Sequence, residues 1–406
     1  MDTGSSDKAH ASHDQHLTKP QLYTLSAAGA VVTANAYYVH PIIARVAEDF
    51  EVSATIVGMV PAFNQFALAL GIFLLLPLGD WISHRKLTSI FVAGQFLAIA
   101  GMAVAQNYAF FVFGSTVLGF FTIAPYLLPA YVSKRVSPTE LGHATAILTT
   151  GIIAGILLAR VGAGFLGETF GWRTVYFLAA GLMLAVSFVL PMIMEERENA
   201  TTSHDSYFKL IFSIAPVVRQ HPEILLAGSI QALGFGIFLA VWMGLGLHLT
   251  SPEMGYGVDT VGYLAIISLL NLATTPRFGR WADKVGARKA RLIMSLIQFV
   301  GVFFLLFFGH SLWLLIVPII IMNLVGPIVD ITGRMTFLSE AAEIRTRLMT
   351  VYIVLMFVGG GIFSWAGTAT YDLAGWTGNS ILALLLSALV VTLSWISLRW
   401  KGHAAS

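Results

Sequence analysis

The chain has 406 residues, 57% of them hydrophobic and 11% charged, where an ordinary soluble domain carries about 25% charge. That balance excludes a soluble enzyme and a nucleic-acid-binding domain, and with a net charge of only +2 the placement of basic residues says more than their sum. The absence of cysteine excludes disulfides, thiolate metal sites and cysteine nucleophiles.

Residues 1–20 are polar and lack the apolar stretch of a signal peptide, so they read as a disordered cytoplasmic tail ahead of an uncleaved first span. His10, His13 and His16 are spaced three apart in it; a solvated tail accounts for them more simply than a metal site. Crossing a bilayer takes about 20 mostly apolar residues. Such runs follow at 22–43, 54–78, 88–106, 109–132, 144–167, 174–194, 223–249, 258–276, 290–308, 311–333, 348–371 and 378–398. The expectation is an all-α membrane protein of twelve spans. The longest polar interruption, Glu195 to Leu210, divides them six and six. It predicts one six-helix bundle over 21–194, a cytoplasmic linker over 195–222, a second bundle over 223–399 and a cytoplasmic tail over 400–406. Basic connections stay in the cytoplasm, and 20 of the 23 lysines and arginines fall at the two ends or in the even-numbered connections. Only Arg45 and Arg173 lie in odd-numbered connections, and Arg160 lies inside a span. Both termini are therefore expected in the cytoplasm.

The two halves echo each other. Asp80 and Glu140 recur as Asp283 and Glu343, 203 residues on, and "ETFGW" at Glu168–Trp172 recurs as "DLAGW" at Asp372–Trp376. Landmarks at one offset mean a duplicated unit; parallel repeats with a solute site between them are one transporter plan.

Ionisable and polar groups inside spans are candidates for function. In span 1, "TANAYYVHP" offers Asn35 and Tyr38 on one helical face and Tyr37 and His40 on nearly the opposite one. The expectation favours Asn35 and Tyr38 as cavity residues, with His40 as a proton carrier or as the cap of a helix broken at Pro41. Span 4 offers Thr122 and Tyr126, span 7 Gln231, Phe238 and Trp242, and span 10 Asn323, Asp330 and Arg334. Asp330 reads either as the coupling-proton carrier or as the i,i+4 ion-pair partner of Arg334. Arg160 lies deep in span 5 among Gly151, Gly155, Gly162, Gly164 and Gly167, with no acid at comparable depth in spans 1, 2, 4 or 8. Its compensation is expected from carbonyls freed near Pro41 or Pro276, or from an anionic group on a substrate.

Between spans 8 and 9 stands "GRWADKVGARK", with Gly279, Asp283, Gly286, Arg288 and Lys289; between spans 2 and 3 stands "LPLGDWISHRK", with Asp80, Arg85 and Lys86, where Leu76 and Ser83 replace the glycines. This pair resembles the signature G-x-x-x-D-(R/K)-x-G-(R/x)-(R/K) of the major facilitator superfamily, over nearly the whole chain. The span 1 stretch resembles an N-x-Y-Y-x-x-P segment of its bacterial drug- and sugar-efflux branch. The glycine run of span 5 resembles the antiporter motif, without the customary proline.

The resemblance implies two pseudo-symmetric six-helix bundles with spans 1, 4, 7 and 10 around a central cavity. On that basis Asn35, Tyr38, Thr122, Tyr126, Arg160, Gln231, Trp242 and Asn323 are candidate substrate-binding residues, and Asp330 and His40 candidate proton-coupling residues. Asp80, Arg85, Asp283 and Arg288 are candidates for an inner lock in which each aspartate faces a helix N-terminus of the other half, its basic neighbours pairing with Glu140 and Glu343. The expected function is a proton-coupled exporter of a small organic solute, working as a monomer in a bacterial inner membrane. Uptake by symport or facilitated diffusion is the alternative, and a transport-dead sensor a remoter one. No cofactor, metal or nucleic-acid partner is implied, and neither a Walker A sequence nor a metalloprotease motif occurs.

Overall fold

Thr18 opens the first span with a capping box: its hydroxyl accepts from the Gln21 N–H while the Gln21 side chain accepts from the Thr18 N–H, just ahead of Pro20. Thr18 to Pro20, placed in the tail on sequence, form the start of this helix. This computed structural model describes residues 17–80, 82–137, 139–194, 207–337 and 340–400; the tail histidines lie outside them.

All the regular elements among the described residues are helices. Span 1 is broken into Lys19–Ala34 and Val39–Asp49, span 2 into Ala54–Val57 and Met59–Leu75, and span 4 into Tyr108–Phe121 and Ala124–Ser133. Spans 3, 5, 6 and 7 are His84–Ala103, Leu141–Phe170, Trp172–Ile193 and Glu223–Leu249. Span 8 runs through Val258–Leu264, a 3-10 turn and Leu270–Val285, followed by span 9 at Ala287–Phe308 and span 10 at Leu312–Met335. Spans 11 and 12 share the helical stretch Ala342–Arg399. At about 1.5 Å per residue, its 58 residues far exceed one crossing. The chain reverses at Ala374 and Gly375, the latter at φ +57. Ten described helices are long and apolar enough to cross a membrane. Counting this stretch twice and adding the broken span 1 gives twelve crossings. The expected linker carries the short helices Tyr207–Phe212 and Ile214–Gln220, and the Tyr207 hydroxyl donates to the Leu74 carbonyl at 2.6 Å.

The breaks have local causes. A proline removes one helical hydrogen bond and clashes with the carbonyl four residues earlier: Pro41 opens span 1 near Tyr37, and Pro125 opens span 4 near Phe121. Gly286 turns the chain between spans 8 and 9 at φ +90, a conformation that suits glycine. Its counterpart Ser83 keeps φ −55, and the first-half connection turns instead through the 3-10 segment Leu76–Asp80.

Each packing within the first half recurs in the second: spans 1 and 5 as 7 and 11, spans 2 and 4 as 8 and 10, spans 3 and 6 as 9 and 12. Large apolar side chains such as Leu158, Phe188 and Trp313 face outward, 67%, 61% and 77% exposed, as a lipid-facing surface requires. The basic connections define one end of the bundle, called inner here, and the connections holding Arg45 and Arg173 the outer end. The halves meet near the outer end. There the second part of span 1 packs on span 7, and Val258–Leu269 of span 8 packs on span 5. Toward the inner end spans 5 and 8 part, and of Leu270–Val285 only Ala282 is buried, while spans 2 and 4 stay packed on span 11 through Ile72, Ile123 and Phe357.

Candidate substrate site

Arg160 stands where the parting begins, about 15 Å below the outer end of span 5. It is 2% exposed and meets no acid among the described residues. Its Nη2 donates to His40 Nδ1 at 2.8 Å. The guanidinium lies over three aromatic rings: Trp242 at 4.4 Å, Phe238 at 4.9 Å and Tyr37 at 5.4 Å from the ring centroids. A charge at this depth costs at least about 2.5–3.5 kcal/mol. A desolvated cation–π contact returns up to about 2 kcal/mol, so three faces offset the cost without neutralising the charge. The freed-carbonyl expectation is corrected here, since no backbone carbonyl among the described residues accepts from the Arg160 side chain.

The break in span 1 aims its two faces. Tyr37 and His40 turn to Arg160, their rings 5.2 Å apart. Asn35 and Tyr38, the face favoured on sequence, turn into the first bundle. Tyr38 packs edge-on against Tyr176 of span 6. Asn35 Nδ2 donates to Gln95 Oε1 at 2.9 Å, and Gln95 Nε2 donates to the Phe121 carbonyl at the span 4 break, also at 2.9 Å. Gln95, fully buried in span 3, ties together the breaks of spans 1 and 4. Replacing it with leucine should cost about 1–3 kcal/mol, because the Asn35 amide is left buried and unpaired. A melting temperature equal to that of the native protein would refute this bracing role.

The other candidates divide. An aromatic series runs inward from Trp242 through Phe238, Phe235 and Phe357 to Tyr126, with ring centroids 5.7 to 6.3 Å apart. Thr122 bonds to its own helix at the Leu118 carbonyl, and the Gln231 amide donates to Met356 Sδ. Asn323 accepts from Ser268, holding span 10 to span 8. Asp330 is paired with Arg334, whose Nε donates to both carboxylate oxygens at 3.0 and 3.1 Å.

At the inner end, the side chains of Asp80 and Glu343 lie outside the described residues. Asp283 is exposed and unpaired among those described, Arg85 forms no ion pair there, and Arg288 donates to the Trp400 carbonyl at 2.6 Å. Glu140 accepts from Ser137 in its own connection rather than from a motif arginine.

The outer seam carries the device expected at the inner one, built from other residues. Glu168 of span 5 accepts from the Val258 N–H at 3.0 Å, the first residue of span 8, and pairs with Arg45 at 3.1 Å. Asp372, past span 11, accepts from the Thr55 hydroxyl at 2.6 Å and its N–H at 3.3 Å, at the start of span 2. Each half sets the acid of its "ETFGW" or "DLAGW" segment on a helix N-terminus of the other, where free N–H groups and the helix dipole favour an anion. One such contact contributes about 0.3–1 kcal/mol. Removing both, as Glu168→Gln with Asp372→Asn, should shift the balance toward outward opening by roughly 3- to 30-fold, read from paired spin-label distances across the seam. Unchanged distance distributions would refute a latch here.

A family model described as the Major Facilitator Superfamily matches residues 25–364. The chain is 27% identical over 392 residues to the uncharacterized transporter YgaY of Escherichia coli O157:H7, covering 95% of this chain and 97% of that one. It is 25% identical over 337 residues to the multidrug resistance protein MdtG of Dickeya zeae, covering 76% of each. Among solved structures it resembles an inward-facing, unoccupied bacterial homolog of the human lysosomal transporter Spinster, with a TM-score of 0.76, 12% identity and 94% and 98% of the two chains covered. A D-xylose–proton symporter gives 0.71 at 16% identity, with 94% and 97% covered.

Proposed function

Because this chain belongs to the major facilitator superfamily and is a multi-pass membrane transporter, not an enzyme, we propose that it exports a small organic solute by alternating access in exchange for protons. The observation that carries this reading is the asymmetry of the seam. Spans 5 and 8 close over Arg160 on the outer side and separate below it, so the seam is looser on the side of the basic end, with spans 2 and 4 still packed on span 11 there. The multidrug resistance relatives support export of an amphipathic compound, as does the aromatic lining. The basic end is assigned to the cytoplasm by the distribution of lysine and arginine, both termini with it, and the protein is taken to act as a monomer in the bacterial inner membrane.

In this cycle Asp283 and Asp80 engage the other half when the inner end closes, and Glu168 and Asp372 when the outer end does. The two latches then exclude each other, and a solute shifts the balance by binding one state better. Asp330 and His40 are the proton-carrying candidates. The test is efflux of a labelled solute from vesicles holding the purified protein with its inner face toward the lumen. Acidifying the outside should accelerate efflux and alkalinise the medium. Accumulation of the solute inside, together with protons, would overturn export in favour of symport, and movement indifferent to the gradient would favour facilitated diffusion.

A further inference from the structure

The Arg160 centre has a definite imbalance of donors. Arginine has no acceptor, so His40 Nδ1 must accept the bond from Nη2. His40 is then neutral and carries its proton on Nε2. That N–H has no partner, and neither has Arg160 Nε–H. His40 is 1% and Arg160 2% exposed, so the centre holds a full positive charge and two unanswered N–H donors, with no carboxylate near among the described residues. Buried donors are nearly always answered, and a buried charge is ordinarily paired. The rings return attraction to the cation through their faces, and the one hydrogen bond the guanidinium makes among the described residues goes to His40.

Resting on the transport reading above and deepening it, we infer that this centre binds the carboxylate of a monoanionic solute with a flat, apolar body. Arg160 supplies the charge and the planar donor edge that matches a carboxylate, and His40 Nε2–H is available as a further donor. Phe238 and Tyr37, both partly exposed, are the rings beside which an aromatic body can stack, while the buried Trp242 holds the guanidinium. A cation is disfavoured by Arg160 itself. A neutral solute would leave the charge unanswered, and a site built around unpaired donors discriminates against ligands without the matching acceptor.

The experiment uses purified full-length protein in detergent and isothermal titration with benzoate, salicylate and indole-3-acetate, each beside its own amide, plus benzamidine as the cation. At least one acid should bind ten or more times more tightly than its amide, with benzamidine silent, and Arg160→Gln should abolish that preference. Amides binding as well as acids, benzamidine binding best, no acid in the panel binding, or a folded Arg160→Gln protein keeping the preference would each overturn the inference. The acid-against-amide comparison needs only the native protein, so it stands even if Arg160→Gln does not fold. In reconstituted vesicles, a carboxylate that binds through Arg160 yet is never exchanged leaves the site standing and overturns the transport reading. Exchange of a neutral or cationic solute by native and Arg160→Gln proteins alike does the reverse.

Discussion

A leucine at position 262 is expected to hold the outer seam open and to cut net transport by at least tenfold. Gly262 of span 8 faces span 5, where a Cβ would come within 2.6 Å of the Arg160 carbonyl; a Cβ on Gly164, opposite, would lie 2.8 Å from the Val258 carbonyl. The obstacle in both cases is backbone, which cannot rotate away as a side chain can. Closing the seam over a leucine would therefore require the two helices to separate, and the state that already separates them is the outward-open one. Alanine at the same position should give a graded version of the effect. Because the native chain has no cysteine, a single Phe238→Cys substitution reports access to the cage. In the Gly262→Leu background a membrane-impermeant maleimide should label it from the outer side, and in the native background it should not. Equal labelling in the two would show that the glycine crossing does not set the seam.

Asp330→Asn is expected to abolish transport driven by a pH gradient while leaving exchange of solute for solute intact. The carboxylate lies about 8 Å from the inner end of span 10 and is partly exposed. Its partner Arg334 also donates to Met349 Sδ of span 11 and lies over the Tyr352 ring, whose hydroxyl donates to the Asp330 carbonyl. A carboxyl that gains and loses a proton there would release and recapture Arg334, so proton uptake would loosen span 10 from span 11. Arg334→Ala separates the two readings of the pair. If it leaves gradient-driven transport running while Asp330→Asn stops it, Asp330 carries the proton. If both variants lose solute exchange as well, the pair only braces the helix.

The crossings were legible because hydropathy answers directly to the solvent around each residue, and the repeat because duplication preserves spacing. Which face of span 1 looks at the other half was not. Helical periodicity separates Asn35 and Tyr38 from Tyr37 and His40, but the rotation of the pair is fixed by the break ahead of Pro41, and by Gln95 drawing Asn35 into the bundle. Gln95 itself had a signal that went unread: a lone amide deep in span 3, facing a neighbour whose Pro125 disrupts the helix near Phe121. The outer latch was likewise visible only as a landmark. Sequence marks Glu168 and Asp372 as equivalent, while their partners Val258 and Thr55 become apparent only when the halves are docked, since both offer backbone N–H groups that no residue type announces.

The cage around Arg160 also bears on how such a carrier responds to membrane voltage. Ring faces attract the guanidinium but leave its charge in place, so the empty protein carries one uncompensated positive charge near the middle of the bilayer. With the basic end in the cytoplasm, as proposed above, the charge sits electrically close to the cytoplasm when water reaches it from the inner side, and close to the outside when the seam reverses. A potential negative inside therefore holds the empty carrier inward-open, by up to about 2.3 kcal/mol per 100 mV if the charge crosses the full field. A bound carboxylate cancels the charge and frees the loaded carrier from this bias. Voltage would then govern the return of the empty protein and leave the loaded step indifferent, so that polarising the membrane changes how long each molecule waits for its cargo rather than how fast it carries it.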